Sequence, residues 1–203
     1  MIAIIKYNAG NIRSVQNAIT RLGYDSIITD NPAEIQQADK VIFPGVGEAS
    51  SAMAYLKERK LDELLVSLTQ PVLGICLGLQ LMGMSSEEGN TKCLGIFNTV
   101  TKKFPPLEKV PHIGWNNFDK IKGSEIKDSD INSAKILANL NLNDDVYYVH
   151  GYYAEVCEQT IATCNYIQPF SSIMQKDNFY AMQFHPEKSA SIGENLLKNF
   201  LEL

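Results

Sequence analysis

The sequence lacks the features that mark several classes of protein. It has 18 Lys and Arg against 23 Asp and Glu, a net charge of −5, so we expect no nucleic-acid partner and no binding to anionic membranes. Three His and four Cys without a CxxC pair offer little to a zinc site, and we expect no metal and no cofactor. No apolar run approaches the roughly 20 residues of a membrane helix, and no secretory leader is expected. These absences predict a cytoplasmic protein with free thiols.

What the sequence does contain is the composition of a folded globular protein. Its 203 residues, 45% hydrophobic and 20% charged, predict a single domain over 1–203. Strands and helices alternate in the first part of the chain, with strands expected at Ile2–Ile5, Ser26–Thr29, Lys40–Pro44 and Pro71–Ile75. Because each parallel crossover needs a helix-sized connection, this alternation predicts a parallel sheet with helices on both faces.

The pattern changes beyond about Ser85. Short strand-like stretches are separated by polar segments, of which Asp119 to Asp145 is expected to be a surface excursion, and Ile192–Leu203 closes the chain as an amphipathic helix. The predicted fold class is therefore α/β, with a central, mostly parallel sheet flanked by helices and antiparallel additions in the C-terminal half.

One of the four cysteines has a setting typical of a nucleophile. Gly74-Ile75-Cys76-Leu77-Gly78 lies between a buried strand and an apolar helix, where glycines allow a sharp turn that holds the central side chain above the sheet. The start of the helix favours a thiolate, and the Leu77 N–H is where an oxyanion donor is expected. The alternative is a small core residue, which is the better interpretation of an arbitrary cysteine. We interpret Cys93, Cys157 and Cys164 as structural.

His185 is the candidate base for this thiol. It follows the apolar run Tyr180–Phe184, and His185 and Glu187, two residues apart, project to the same side of an extended chain. The carboxylate could then orient the imidazole and stabilise its charged form. His112 and His150 remain alternatives, because the sequence does not give their distances to Cys76.

A glycine-containing loop follows the third predicted strand. Pro44-Gly45-Val46-Gly47 could present backbone N–H groups to an anion, although a plain strand-to-helix connection has the same composition. The loop has neither the length nor the lysine of a P-loop.

Together, in this order and separation, Pro44–Gly47, Gly74–Gln80 and His185–Glu187 resemble the class I (triad) glutamine amidotransferase domain. Tyr7–Ser14, Pro111–Asn116 and Tyr148–His150 look like a branch of that family whose members serve a cyclase of histidine biosynthesis. The resemblance covers essentially the whole chain.

The resemblance implies that glutamine is hydrolysed to glutamate and that the ammonia passes to a (β/α)₈ barrel cyclase subunit in a heterodimer. The cyclase products would be imidazole glycerol phosphate and an aminoimidazole carboxamide ribotide. Similar subunits feed sugar-modifying amidotransferases, which is the first alternative. A non-catalytic interaction subunit and a general cysteine hydrolase are further alternatives, disfavoured by the complete Cys–His–Glu set and by the branch segments.

The resemblance also implies a role for each matching residue. Cys76 would be the nucleophile, His185 the base and then the acid, and Glu187 its orienting carboxylate. Oxyanion N–H groups would come from Val46 or Gly47 and from Leu77. Glutamine would be held by Gln80 and by the backbone at His150, Gly151 and Tyr152, while Asn11, Trp115, Tyr147 and Lys188 would lie toward the cyclase.

Two positions depart from the family pattern. Lys6 stands where an aspartate usually follows the first strand, and Gly151 stands where Ser or Thr commonly follows the histidine. If position 151 acts through its backbone, glycine does no harm, whereas a hydroxyl role would predict weaker glutamine affinity. We favour the backbone role.

Overall fold

The computed structural model describes residues 1–8, 10–122 and 135–203. The described strands are β1 (Ile2–Ile5), β2 (Ser26–Thr29), β3 (Lys40–Phe43), β4 (Val72–Ile75), β5 (Ser85–Ser86), β6 (Thr91–Lys92), β7 (Val100–Lys103), β8 (His112–Asn116), β9 (Lys120–Ile121), β10 (Val146–His150), β11 (Tyr152–Ala154), β12 (Thr160–Tyr166), β13 (Gln168–Lys176) and β14 (Phe179–Met182). The described helices are α1 (Ile12–Arg21), α2 (Pro32–Gln37), α3 (Ala49–Glu58), α4 (Leu61–Ser67), α5 (Leu77–Leu81) and α6 (Ala190–Leu201), with 3₁₀ turns at Glu88–Asn90 and Pro186–Lys188.

In these parts of the chain, no helix combines the length and apolarity needed to cross a membrane. The predicted excursion from Asp119 to Asp145 falls in part on 123–134, outside the described residues.

The central sheet confirms the predicted fold class. Its order is β2-β1-β3-β4-β14-β13-β12-β9, with the first five strands parallel and the last three added antiparallel. The last parallel strand is β14, from the C-terminal part of the chain, which pairs with β4 so that Tyr180 lies opposite Leu73. Two apolar clusters cover the faces of this sheet, one including residues of α1 and α6 and the other residues of α2, α3 and α4.

Two smaller sheets lie beside the central one. One has the order β11-β7-β5-β6, and the other is the antiparallel pair β10-β8, in which His150 is opposite His112. The β10 strand is joined to the turn after β14, because the His185 N–H donates to the Tyr147 carbonyl at 2.9 Å.

The local sequence accounts for the start of α2 and the end of α1. Asn31 caps α2, since its side chain accepts from the Ala33 N–H at 2.9 Å, and Pro32 fits the first helical turn. Gly23, at φ 85°, follows the end of α1 in the left-handed region that glycine favours. The carboxyl ends of β1, β3, β4 and β14 meet at one edge of the sheet, the edge where open parallel sheets bind ligands.

Candidate active site

The turn from β4 to α5 holds Cys76 in a strained conformation. Cys76 has φ 53° and ψ −105°, which is unusual for a residue with a side chain, and its N–H donates to the Met182 carbonyl at 2.8 Å. A Cβ at Gly78 would lie 1.9 Å from the Phe43 carbonyl oxygen, so only glycine allows the helix to start this close to β3. The two flanking glycines therefore serve the turn that the sequence predicts.

His185 and Glu187 lie together at the end of β14. The His185 Nδ1 is 2.8 Å from Glu187 Oε1, and both side chains are almost wholly buried. The expectation of an extended chain here was wrong, because Pro186 opens a 3₁₀ turn, and this turn brings the two side chains together. With Nδ1 held by the carboxylate, Nε2 is the ring nitrogen left to exchange a proton, and it is buried with no hydrogen-bond partner in the described part of the chain.

The charge state of His185 is set by its neighbours. Burial lowers its pKa, but the Cys76 sulfur and the Glu187 carboxylate together outweigh burial and raise the pKa to about 10. The charged form of His185 is therefore favoured, with the Glu187 carboxylate held against its Nδ1.

The other two histidines have lowered pKa values, in contrast to His185. Burial lowers the pKa of His112 to about 4 and that of His150 to about 3. His150 Nδ1 is 2.8 Å from the Tyr152 carbonyl, which can only accept, and His150 Nε2 is 3.1 Å from His112 Nδ1. Both rings are therefore neutral, and both nitrogens of His150 are engaged. Of the three candidates, His185 is the one arranged as a base for Cys76.

Asparagine is a favoured N-cap residue, but Asn11 does not cap α1 through its side chain. It occupies the N-cap position of α1 but has φ 71° and makes no side-chain capping bond. Its Nδ2 instead donates to Glu187 Oε1 and lies 3.3 Å from His185 Nδ1. A capping asparagine would accept a backbone N–H through Oδ1, but the left-handed backbone of Asn11 accompanies a side chain directed to Glu187, where Nδ2 makes a charge-assisted hydrogen bond. Asn11, which the resemblance directs toward the partner, thus also contacts Glu187.

The Pro44–Gly47 loop lies against the start of α5. The Leu77 N–H donates to the Gly45 carbonyl at 3.2 Å, and the Gly10 N–H donates to the Val46 carbonyl at 3.2 Å. Gly47 has φ 137°, a conformation that side chains rarely adopt. In this arrangement the Leu77 N–H, which is expected to donate to an oxyanion, already donates to a carbonyl oxygen.

Of the predicted glutamine-binding residues, Gln80 and His150 are buried, whereas Gly151 and Tyr152 are partly buried. Gln80 Nε2 donates to the Tyr152 carbonyl at 2.9 Å, and the Gly151 carbonyl accepts from the Phe104 N–H at 3.1 Å. A Cβ at Gly151 would lie 3.8 Å from its nearest neighbour, which is ordinary contact. Sterics therefore do not explain the departure from Ser or Thr at this position. Lys6, the other departure, is exposed.

The residues directed toward a partner are on the surface beside the base. Trp115 is 55% exposed and its ring lies 5.7 Å from that of Tyr147. Lys188 is exposed, and its N–H donates to the His185 carbonyl at 2.9 Å. The backbone on both sides of His185 is thus tied to residues of this exposed face.

Sequence reasoning missed Gln183. It is fully buried, and its Nε2 lies 3.8 Å from Cys76 Sγ. Its spacing held a signal, because Gln183 lies two residues before His185, just after β14. Burial raises the pKa of Cys93 to about 11 and that of Cys164 to about 12, so both are held as thiols. Among the described residues, no cluster of His, Cys, Asp and Glu is placed to hold a metal ion.

Comparisons with known proteins agree over the whole chain. The family model described as glutamine amidotransferase class-I matches residues 3–203. The imidazole glycerol phosphate synthase subunit HisH of Bacteroides fragilis is 53% identical, with 100% of this chain and 99% of that protein covered. The subunit of the same name from Yersinia pseudotuberculosis is 42% identical, with 100% and 99% covered.

Solved structures also resemble the fold. A glutamine amidotransferase structure superposes with a TM-score of 0.73 at 14% identity, covering 100% of this chain and 98% of that one. A glutamine amidotransferase from Thermotoga maritima gives a TM-score of 0.63 at 18% identity, covering 99% and 80%. At these identities the likeness concerns the fold alone.

Proposed function

The chain belongs to the class I glutamine amidotransferase family, as its motifs predict, and from this membership we propose that it is the glutaminase subunit of an imidazole glycerol phosphate synthase. Residues 1–203 would form one glutaminase domain. It hydrolyses glutamine to glutamate and supplies the ammonia to a (β/α)₈ cyclase subunit of histidine biosynthesis. Relatives of that name at 42% to 53% identity support this function over a sugar-modifying amidotransferase.

The observation that carries the proposal is the pairing at the sheet edge. A cysteine on a strained turn is coupled to a histidine whose other nitrogen is held by a buried carboxylate at 2.8 Å. This is the arrangement that activates a thiol and then returns its proton. A non-catalytic subunit would not need it.

The first half of the reaction forms a thioester. His185 Nε2 takes the Cys76 proton, and the sulfur attacks the γ-carbonyl carbon of glutamine, whose oxygen becomes an oxyanion. His185 then gives the proton to the leaving nitrogen, the C–N bond breaks, and ammonia leaves. Glu187 stabilises the imidazolium throughout because it accepts from Nδ1.

The second half regenerates the enzyme. His185 removes a proton from water, which attacks the thioester carbonyl, and the C–S bond breaks to give glutamate. The proton on His185 is then available to the sulfur, and the site is ready for the next glutamine.

The oxyanion donors depend on the Pro44–Gly47 loop. The Leu77 N–H already donates to the Gly45 carbonyl. The loop must therefore change conformation before the Leu77 N–H, together with a second N–H from Val46 or Gly47, can donate to the oxyanion. The described arrangement therefore corresponds to a resting site.

The exposed face beside His185 is the proposed cyclase contact. Trp115, Tyr147 and Lys188 lie on it, and Asn11 reaches from the same edge to Glu187. Hydrogen bonds join His185 to the backbone of Tyr147 and Lys188, each at 2.9 Å, so a partner here would contact the supports of the base directly. We also propose a cytoplasmic location, since all four cysteines are free thiols.

The test is a paired assay of the complex with its cyclase. Cys76→Ala should abolish synthesis of imidazole glycerol phosphate from glutamine and leave synthesis from added ammonia intact. Cys157→Ala, a matched change at a thiol away from the site, should leave both activities. Persistence of both activities in Cys76→Ala, or loss of both in a folded complex, would contradict the proposal.

A further inference from the structure

A chain of buried carboxamides ends at the sulfur of Cys76. Gln80 Nε2 donates to the Tyr152 carbonyl at 2.9 Å and to Gln183 Oε1 at 3.1 Å. Gln183 Nε2 in turn lies 3.8 Å from Cys76 Sγ, within the reach of a hydrogen bond to sulfur. Gln80 is 5% exposed and Gln183 is not exposed at all.

The acceptor at the start of this chain fixes the direction of every bond. A backbone carbonyl can only accept, so the Tyr152 oxygen requires the amide nitrogen of Gln80 to face it. The same nitrogen then requires the oxygen of Gln183. If the Gln183 amide were reversed, two NH₂ groups would face each other in a buried site. The Gln183 NH₂ group is therefore turned to the sulfur.

The other contact of the Cys76 sulfur, with a backbone carbonyl, is a hydrogen bond only when the sulfur is a thiol and not when it is a thiolate. The Val149 carbonyl lies 3.8 Å from Cys76 Sγ and can accept from the thiol. Once the proton has moved to His185, this carbonyl has no hydrogen to accept. Gln183 donates to either form, and more strongly to the charged one, since hydrogen bonds to an ion are about twice as strong as neutral ones. A buried thiolate without such a donor would be costly.

We propose that Gln183 is a further catalytic residue, whose Nε2–H donates to the Cys76 sulfur and stabilises the thiolate. The inference rests on the proposed role of Cys76 as the nucleophile. Gln80 is a positioning residue in this scheme, because it acts on the sulfur through the orientation of Gln183. Binding of glutamine at Gln80 would thus be linked to the state of the nucleophile.

The test follows the rate at which iodoacetamide alkylates Cys76 as a function of pH. The full chain, alone and with its cyclase, is quenched at intervals, and alkylation at each cysteine is measured by peptide mass spectrometry. In Gln183→Met, which keeps the length but removes the donor, the pH of half-maximal rate should rise by about one unit. In Gln183→Glu, which places a carboxylate there, it should rise further. Glutamine-dependent kcat should fall in both variants, with a smaller change in KM.

Asn178→Leu is the matched control. Asn178 is a carboxamide too, although half-buried, and it donates to the carbonyls of Leu68 and Gln70 at 2.9 and 2.8 Å at the opposite end of β4. Its loss should lower the unfolding temperature and leave the alkylation profile of Cys76 unchanged.

The outcomes separate this inference from the proposed function. If Gln183→Met and Gln183→Glu lower only the unfolding temperature and keep the wild-type profile, Gln183 is structural and the inference is wrong. If the methionine variant does not fold, the glutamate variant alone decides. If wild-type Cys76 reacts no faster than Cys93, the nucleophile assignment itself is wrong.

Discussion

Partner binding should raise the glutaminase rate of this chain because one hydrogen bond blocks the resting site. The Leu77 N–H donates to the Gly45 carbonyl at 3.2 Å and is therefore not free to donate to the oxyanion. Breaking this bond costs about 1 kcal/mol, a small amount that contacts with a partner can supply. Losing one oxyanion donor lowers kcat by roughly 10²–10³. We therefore expect the free chain to turn glutamine over about 10²–10³ times more slowly than the complex.

The assay is glutamate release at saturating glutamine, from the free chain and from the complex with the cyclase and its nucleotide ligand. Cys76→Ala gives the background for both. Gly45→Ala tests the loop directly, because its Cβ would lie 1.8 Å from Tyr7 Oη and force the loop to shift. The complex of this variant should lose most of its stimulation. Equal turnover by the free chain and the complex would refute the reasoning.

Three further predictions concern residues around the triad. Gly151→Ser should leave KM for glutamine within about twofold, since the site has room for the side chain and the backbone does the binding; a large fall in KM would show that a hydroxyl contributes. Asn11→Ala should lower kcat of the complex about tenfold, the equivalent of about 1.4 kcal/mol from a hydrogen bond to a carboxylate, while Glu187 stays in place; an unchanged kcat would contradict this. His112 and His150, with pKa values lowered to about 4 and about 3, should remain neutral at pH 5.5 by NMR, and protonated rings there would contradict the assignment.

The same histidines predict the pH dependence of stability. Between pH 6.5 and 5 the unfolded chain protonates His112 and His150 while the folded chain does not, so each lowers the free energy of unfolding by about 2 kcal/mol as the pH falls. His185 has the opposite sign. Its folded pKa is raised to about 10, so its contribution is complete below pH 6.5 and is lost as the pH rises toward 10. Urea titrations should therefore show greatest stability near neutral pH, and a maximum at pH 5 would contradict this.

Local patterns in the sequence predicted the parts of the site that depend on neighbouring residues. The glycines at 74 and 78 predicted the turn at Cys76. The two-residue spacing of His185 and Glu187 predicted their contact, although the contact forms through a 3₁₀ turn and not along an extended chain. Alternation of strands and helices likewise predicted that the first four strands are parallel, but not their order in the sheet.

Contacts between distant segments could not be read in the same way. Asn11 is 176 residues from Glu187, and the capping signal at the start of α1 gave a sufficient local reason for an asparagine there. The parallel pairing of β14 with β4 and the Gly45 carbonyl on the Leu77 N–H also depend on how the chain returns to the sheet edge. Gln183 is an intermediate case. Its spacing from His185 suggested that it lies near the same site, but the sequence did not show that its amide would donate to the Cys76 sulfur.

The most direct test of the central claim is to identify the residue that carries the acyl group. The complex is mixed with isotopically labelled glutamine, quenched in acid during turnover, and digested for mass spectrometry. We predict a labelled γ-glutamyl thioester on Cys76 that hydroxylamine releases, and none in Cys76→Ser. A labelled adduct on Cys93, Cys157 or Cys164 instead, or turnover that survives the loss of the Cys76 thiol, would contradict the account.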